Sequence, residues 1–425
     1  MISTGKQMIY DALNHVPGEV PIDFGANPVT GIHVRTIYEI RKYLGLADEP
    51  VKLIDPFQML GRIEDDLKDV LGIATTDIAG QNNLFGFRIA GWKEWRSPWG
   101  QLLLVPGDFK TSVSPEGTIF LYPQGDNSVP PSGRLPKEGF YFDTIVRQHP
   151  IDDERLDPSD NLEEFPLLTD TDIDHFRKEA VRLHGSSRFV FGSLTGDTGL
   201  GDIARVPAPM LKDPKGIRDE AEWYISTVSR QDYLREVFNE QTDRAIINLS
   251  RIHSVTGDLI GAVFICGTDF GTQNSLFCSQ KTFKELYHPY YKKVNDWIHA
   301  NTKWKTFKHS CGAVVPLIPS FIEAGFDIIN PVQISAEGMD PSILKRKFGS
   351  SLTFWGGGVD TQKTLPFGTK ADVRREVLSN LKIFASGGGF VFNAVHNVQA
   401  QVPAENFVAM VNAVHEFNGN PLIKQ

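Results

Sequence analysis

Along the second half of the chain, short apolar runs alternate with longer segments of helical period. The runs at residues 189–192, 260–266, 306–309, 327–330, 352–355 and 390–392 predict strands. Amphipathic stretches at 231–256, 280–302, 314–324 and 370–384 predict helices, the last opened by Thr369 as an N-cap. Such alternation implies βαβ units and a parallel sheet. Residues 20–24 and 73–78 bring the strand count to eight, which fits a (β/α)8 barrel. A doubly wound open sheet is the rival, but no Gly-x-Gly-x-x-Gly follows the first strand.

Residues 84–168 break the pattern. Trp92, Trp95, Trp99 and Gly100 precede the apolar run at 102–105, and turn-rich stretches follow at 125–127 and 130–133. This reads as hairpins inserted into the barrel rather than another βα unit. The expected organisation is one barrel domain over residues 1–425 with a hairpin-rich insertion at 84–168. The acidic stretch at 152–164 reads as an exposed return, and no repeat suggests a solenoid.

Composition narrows the class. With 425 residues, 41% of them hydrophobic, the chain can bury a large core. A net charge of -9 on a well-mixed chain argues against nucleic acid as partner, since phosphate binding needs clustered Lys and Arg. The longest basic run, Lys345-Arg346-Lys347, reads as the solvated end of a helix. The N-terminal residues lack the apolar core of a secretory signal, and nothing approaches the ~18 apolar residues of a membrane span. Three cysteines, Cys266, Cys278 and Cys311, argue for a reducing compartment, so a cytoplasmic protein is expected.

His309 and Cys311 stand two apart at the end of a strand run, so period-2 geometry puts both on one face. Gly312 then breaks the strand at the position where barrel enzymes collect ligands. Imidazole nitrogen and thiolate sulfur are typical zinc donors. The pair alone reads more readily as a buried cysteine beside a core histidine. His396, past the last strand run, supplies a third donor, and three protein ligands with an open position is the pattern of a catalytic zinc site. Gly356-Gly357-Gly358 and Gly387-Gly388-Gly389 have no Walker lysine and read as tight turning near the barrel mouth. Asp23, Asp269, Gln273, Asn330, Gln333 and Asp360 fall at expected strand ends, where each could orient a substrate or move a proton, or merely cap a turn. Asp360, so close to a glycine run, is the foremost catalytic candidate, with Asp23, Asp269 and Gln333 beside it.

These residues resemble the uroporphyrinogen decarboxylase superfamily, and within it the zinc methyltransferases of corrinoid-dependent methyl transfer. The likeness runs from His309-Ser310-Cys311-Gly312 through residues 321–333, Met339-Asp340-Pro341 and Trp355-Gly356-Gly357-Gly358-Val359-Asp360, with residues 20–25 similar to the opening strand. It implies a (β/α)8 barrel with its site at the C-terminal mouth. The Arg-x-x-Gly-Arg segment with which the decarboxylases grip carboxylates is missing, Asp23-Phe24-Gly25-Ala26-Asn27 standing in its place. The thiol-loading methyltransferases pair His-x-Cys with a distant Cys; here that position holds His396.

The departure has a chemical consequence. A His-Cys-His set carries one thiolate and leaves zinc a formal positive charge, suited to polarising an oxygen leaving group rather than activating a thiol. The expected activity is transfer of a methyl group from a small methylated donor, such as a methyl ether, to a corrinoid. No Asp-x-His-x-x-Gly run is present, so the corrinoid would come on a separate protein. The alternatives are a decarboxylase of the uroporphyrinogen type and a non-catalytic barrel that binds a small molecule. Trp92, Trp95, Trp99, Phe140, Tyr141 and Phe142 could wall an aromatic pocket or simply pack. The assembly state is open, a homodimer being one option.

Overall fold

In the computed structural model, which describes residues 4–194 and 199–424, the apolar runs form a parallel sheet. Residues 1–3, part of the N-terminal stretch read for a signal, lie outside the described residues. Its seven strands, neighbours in chain order, are β1 (Thr75–Ala79), β2 (Phe189–Ser193), β3 (Ile260–Cys266), β4 (Lys305–His309), β5 (Ile328–Asn330), β6 (Thr353–Trp355) and β7 (Phe390–Val391). Every pairing is parallel. The two edges meet through Ile22, which bridges Ile73 on one side and Phe392 on the other. Asp23 N–H to Phe392 O, Phe392 N–H to Pro21 O and Ala74 N–H to Ile22 O carry the closure. The sheet is thus curled into a barrel whose eighth stave is the short segment around Ile22, and closure satisfies backbone groups an open edge would leave bare.

Alternation along the strands divides the apolar residues between two cores. Phe189, Phe191, Ala262, Phe264, Phe307, Ile328, Trp355 and Val391 form an inner cluster. Phe191, Phe307 and Trp355 meet edge to face there, with centroids 5.2 to 5.7 Å apart. Val190, Val263, Ile265 and Ile329 belong to the outer core beneath the helices. A lumen filled by aromatic rings leaves the loops at the strand C-termini as the place for a ligand.

The helices follow their periodicity. Gln231–Thr256 and Lys370–Phe384 have the expected bounds, and Thr369 and Asp372 form a reciprocal capping box. The stretch expected to run unbroken from 280 is instead Gln280–Thr282, a π turn at Phe283–Tyr287, and His288–Asn301. Pro289 has no N–H to give the residue four back, which the wider turn accommodates. Among the described residues no helix is long and apolar enough to cross a membrane.

Between β1 and β2 the chain builds antiparallel strands. Lys93–Arg96 pairs with Leu102–Val105, and Thr111–Val113, Ile119–Leu121, Gly133–Leu135 and Asp143–Thr144 form a second sheet. The first of these sheets also takes in Val51–Asp55, parallel to Leu102–Val105, and Leu60–Gly61. This layer therefore draws on residues well before 84. Its aromatic residues mostly pack. Trp95 and Phe142 meet Phe109 at 5.3 and 6.0 Å, Trp99 meets Phe140 at 5.6 Å, and the Arg62 guanidinium lies over Trp92. Only Tyr141 of the six is exposed.

Two expectations about charge hold for most of their charged residues and fail at one each. Glu164, at the end of the acidic stretch expected to be exposed, is buried against Arg218, whose guanidinium is also fully buried. In the basic run Arg346 and Lys347 are exposed in the last turn of the helix Pro341–Phe348 as expected, but Lys345 is half-buried: its ammonium donates to the Gly388 carbonyl, and burial lowers its pKa to about 8.

Candidate metal centre at the barrel mouth

β4 ends at His309, and its continuation is turned back by Gly312, whose φ of +86 favours glycine. A Cβ there would stand 2.2 Å from the Gly271 carbonyl oxygen, so the turn is packed directly on the loop after β3. Two side chains hold it in place. Asp269 accepts the Cys311 N–H at 2.6 Å, and Gln333 accepts the Gly312 N–H at 2.8 Å. Gln333 follows Val332, a β-branched residue at φ +58, a backbone state that persists only where the surroundings enforce it.

The orientation of His309 follows from its partners. Asn330, at the end of β5 and fully buried, donates its Nδ2 to the Trp355 carbonyl at 2.7 Å. Its Oδ1 therefore faces His309 Nδ1, 2.6 Å away, and that nitrogen must carry the proton. Nε2 is left as an acceptor, and the Cys311 thiol donates to it with Sγ 3.4 Å away. A tetrahedral zinc with bonds of about 2.0–2.3 Å requires donors roughly 3.5 Å apart, so this pair already has the needed spacing. Burial lowers the His309 pKa to about 3, so the ring is neutral and able to ligate at physiological pH.

His396 completes the group: the donor atoms of His309, Cys311 and His396 all lie within 4.8 Å of one another. The two rings are edge to face at 5.0 Å. His396 sits at φ +71, on a turn tied to the first barrel loop by Asn397, which accepts from Gly31 N–H and donates to Pro28 O and Gln58 Oε1. Burial lowers its pKa to about 3 as well. Its Nδ1 accepts the Asn397 N–H at 2.7 Å, so the neutral ring keeps its proton on Nε2. Coordination by His396 therefore requires a ring rotation that His309 does not need. The donor set otherwise fits zinc: two neutral imidazoles and one sulfur, with second-sphere support of the kind metal-bound histidines have.

The remaining candidates divide. Asp269 is at the centre, with an oxygen 3.8 Å from His309 Nε2. Burial raises its carboxyl pKa, and burial together with Asp269 raises the Cys311 thiol. Gln333 and Asn330 position the ligand loop. Asp23 is fully buried, and its oxygens accept from Thr75 Oγ1, the Ala26 N–H and Trp355 Nε1 at 2.8 Å, a clamp between staves that leaves little for a substrate. Asp360 accepts the Gln362 N–H at 2.7 Å, the turn-capping alternative, while its own N–H is taken by Glu376. Gln273 is exposed. Gly358 packs on Phe392 and Asn393 past β6, at the mouth. Gly387-Gly388-Gly389 instead precedes β7, at the opposite end, where Gly388 and Gly389 press on His15.

Two groups carried no signal of their own in the sequence. Asp202 approaches the end of β3 because Gly267 has no side chain: a Cβ there would stand 2.6 Å from its Oδ2. Burial raises its pKa and Asp269 adds to the rise, so the two carboxyls are neighbours. Lys308 is fully buried behind the donors. The alternation that sets His309 toward the mouth sets Lys308 the other way.

Residues 259–417, which include all three donors, match the uroporphyrinogen decarboxylase (URO-D) family model. Uroporphyrinogen decarboxylase of Pseudoalteromonas translucida is 35% identical over 87 residues, 20% of this chain and 24% of that protein. That of Legionella pneumophila is 44% identical over 50 residues, 12% of this chain and 14% of its own length. The chain thus spans about a quarter or less of the curated relatives it matches. A methyltransferase from Methanosarcina mazei superposes over 98% of this chain and 99% of its own, with a TM-score of 0.54 and 15% identity, which establishes a shared fold. The URO-D resemblance read from the sequence is borne out over the C-terminal region.

Proposed function

We propose that the protein is a zinc-dependent methyltransferase that moves a methyl group from a small methylated donor, such as a methyl ether, to a corrinoid carried by a separate protein. The observation that carries this reading is the convergence of His309, Cys311 and His396 at the mouth of a barrel whose lumen is filled. These three residues would hold the metal. When bound with one thiolate and two neutral imidazoles, zinc supplies Lewis acidity toward a donor oxygen.

The chain's own groups do the rest. Asn330 fixes the His309 tautomer, and Asp269 and Gln333 hold the Cys311 turn. As the methyl group leaves, the carbon–oxygen electron pair stays with oxygen, which takes up a proton. Asp269 and Asp202, whose burial favours the protonated carboxyl, are the neighbouring sources.

Metal analysis after chelator-free purification is expected to find about one zinc per chain, lost in Cys311→Ser and His309→Ala. Metal-free wild-type protein overturns the site. Incubation with methyl ethers and a reduced corrinoid protein is expected to give a methylated corrinoid. Decarboxylation of uroporphyrinogen is the second reading, favoured by the names of the curated relatives. Carbon dioxide release without methyl transfer would establish it in place of the first.

A further inference from the structure

Lys308 has an environment that its neighbours in sequence do not explain. Its side chain leaves β4 on the face away from His309 and enters the layer between the sheet and the helices. The ammonium donates to the Thr268 carbonyl at 2.6 Å and to the carbonyl of His309. It lies over the rings of Phe270 at 5.1 Å, Tyr291 at 5.7 Å and Phe321 at 5.8 Å. Tyr291 is itself held by Cys266 Sγ, 3.0 Å from its hydroxyl. Burying an ammonium is unfavourable unless it is compensated, and methionine would fill such an aromatic cage without that cost.

The two carbonyls it bonds identify the use. Thr268 immediately precedes Asp269, which holds the Cys311 amide; His309 is a donor. One ammonium therefore ties the end of β3 to the end of β4, where the site is built.

We infer that Lys308 is a positioning residue: through the Thr268 and His309 carbonyls it fastens the Asp269 loop to the ligand strand. This inference rests on the metal reading above.

The test uses cobalt(II) as a spectroscopic probe in the full-length protein. Wild-type protein is expected to bind cobalt with a thiolate-to-cobalt absorption band. Lys308→Met keeps the volume and removes both charge and donor. It is expected to fold with a lowered thermal midpoint, since the Thr268 and His309 carbonyls lose their donor, to bind cobalt and zinc at least about tenfold more weakly, as second-sphere losses do, and to show a weakened or shifted band. Lys308→Gln, which keeps a donor without the charge, is expected to fall between the two. A folded Lys308→Met protein with wild-type affinity and spectrum overturns the role. Should that variant not fold, Asp269→Asn must reproduce the spectral change, and an unchanged spectrum there overturns it equally. A wild-type protein without the band counts against the metal site itself, so the two failures are distinguishable.

Discussion

Asn330 offers a sharp test, because one amide does two jobs. Its Oδ1 holds His309 Nδ1 at 2.6 Å and its Nδ2 holds the Trp355 carbonyl at 2.7 Å, both fully out of water. Asn330→Ala leaves a buried N–H and a buried C=O without partners. At about 1–3 kcal/mol for each orphaned group, folding stability should fall by roughly 2–6 kcal/mol. The ring also loses what fixes its tautomer and plane, so zinc affinity should drop about 10–100-fold. Asn330→Asp separates the effects: it keeps an acceptor for His309 but cannot donate to Trp355. It should lose stability while binding zinc more tightly than the alanine variant. Denaturant unfolding gives the first quantity and competition with a chromophoric chelator the second. A folded Asn330→Ala protein that binds zinc as tightly as wild type would refute the tautomer argument.

Other expectations follow from single observations. Burial lowers the His33 pKa to about 4, with its Nε2–H bonded to Phe140 O and its Nδ1 accepting the Arg35 N–H at the start of a helix. The unfolded state therefore binds the extra proton first: the stability is fully present above pH 6.5 and is lost as pH falls toward 4, by about 3 kcal/mol. His33→Gln should flatten that part of the stability–pH curve, and an unchanged slope would count against the assignment. Arg218→Met should cost about 3–5 kcal/mol by stranding the buried Glu164 carboxylate, and Arg218→Met with Glu164→Leu should recover much of it; denaturant titration decides. Gly312→Ala should release zinc and lower the thermal midpoint, since its Cβ would collide with Gly271. Wild-type zinc content in that variant would show that the turn is not what sets the site.

The sequence alone was enough for the elements whose pattern is local. Fully buried strands such as Ile260–Cys266 read as unbroken apolar runs, and Lys370–Phe384 carried its own capping box. His309 and Cys311 were legible as closely spaced donors at a strand end, although the strand stops at His309 and the turn beyond it places Cys311, and His396 because it follows the last strand run. Tertiary structure decided whatever depended on distant partners. Asp360 and Asp23 are acids at strand ends just as Asp269 is. Only packing shows that Asp360 caps its own turn, that Asp23 clamps Trp355, and that Asp269 faces the donors. The strand Val51–Asp55 takes its place from Leu102–Val105, about fifty residues on, and no local period encodes such a pairing. Asp202 and Lys308 are the clearest cases. An isolated charge in a sequence looks solvated, and its burial is visible only once the loops and rings that compensate it surround it.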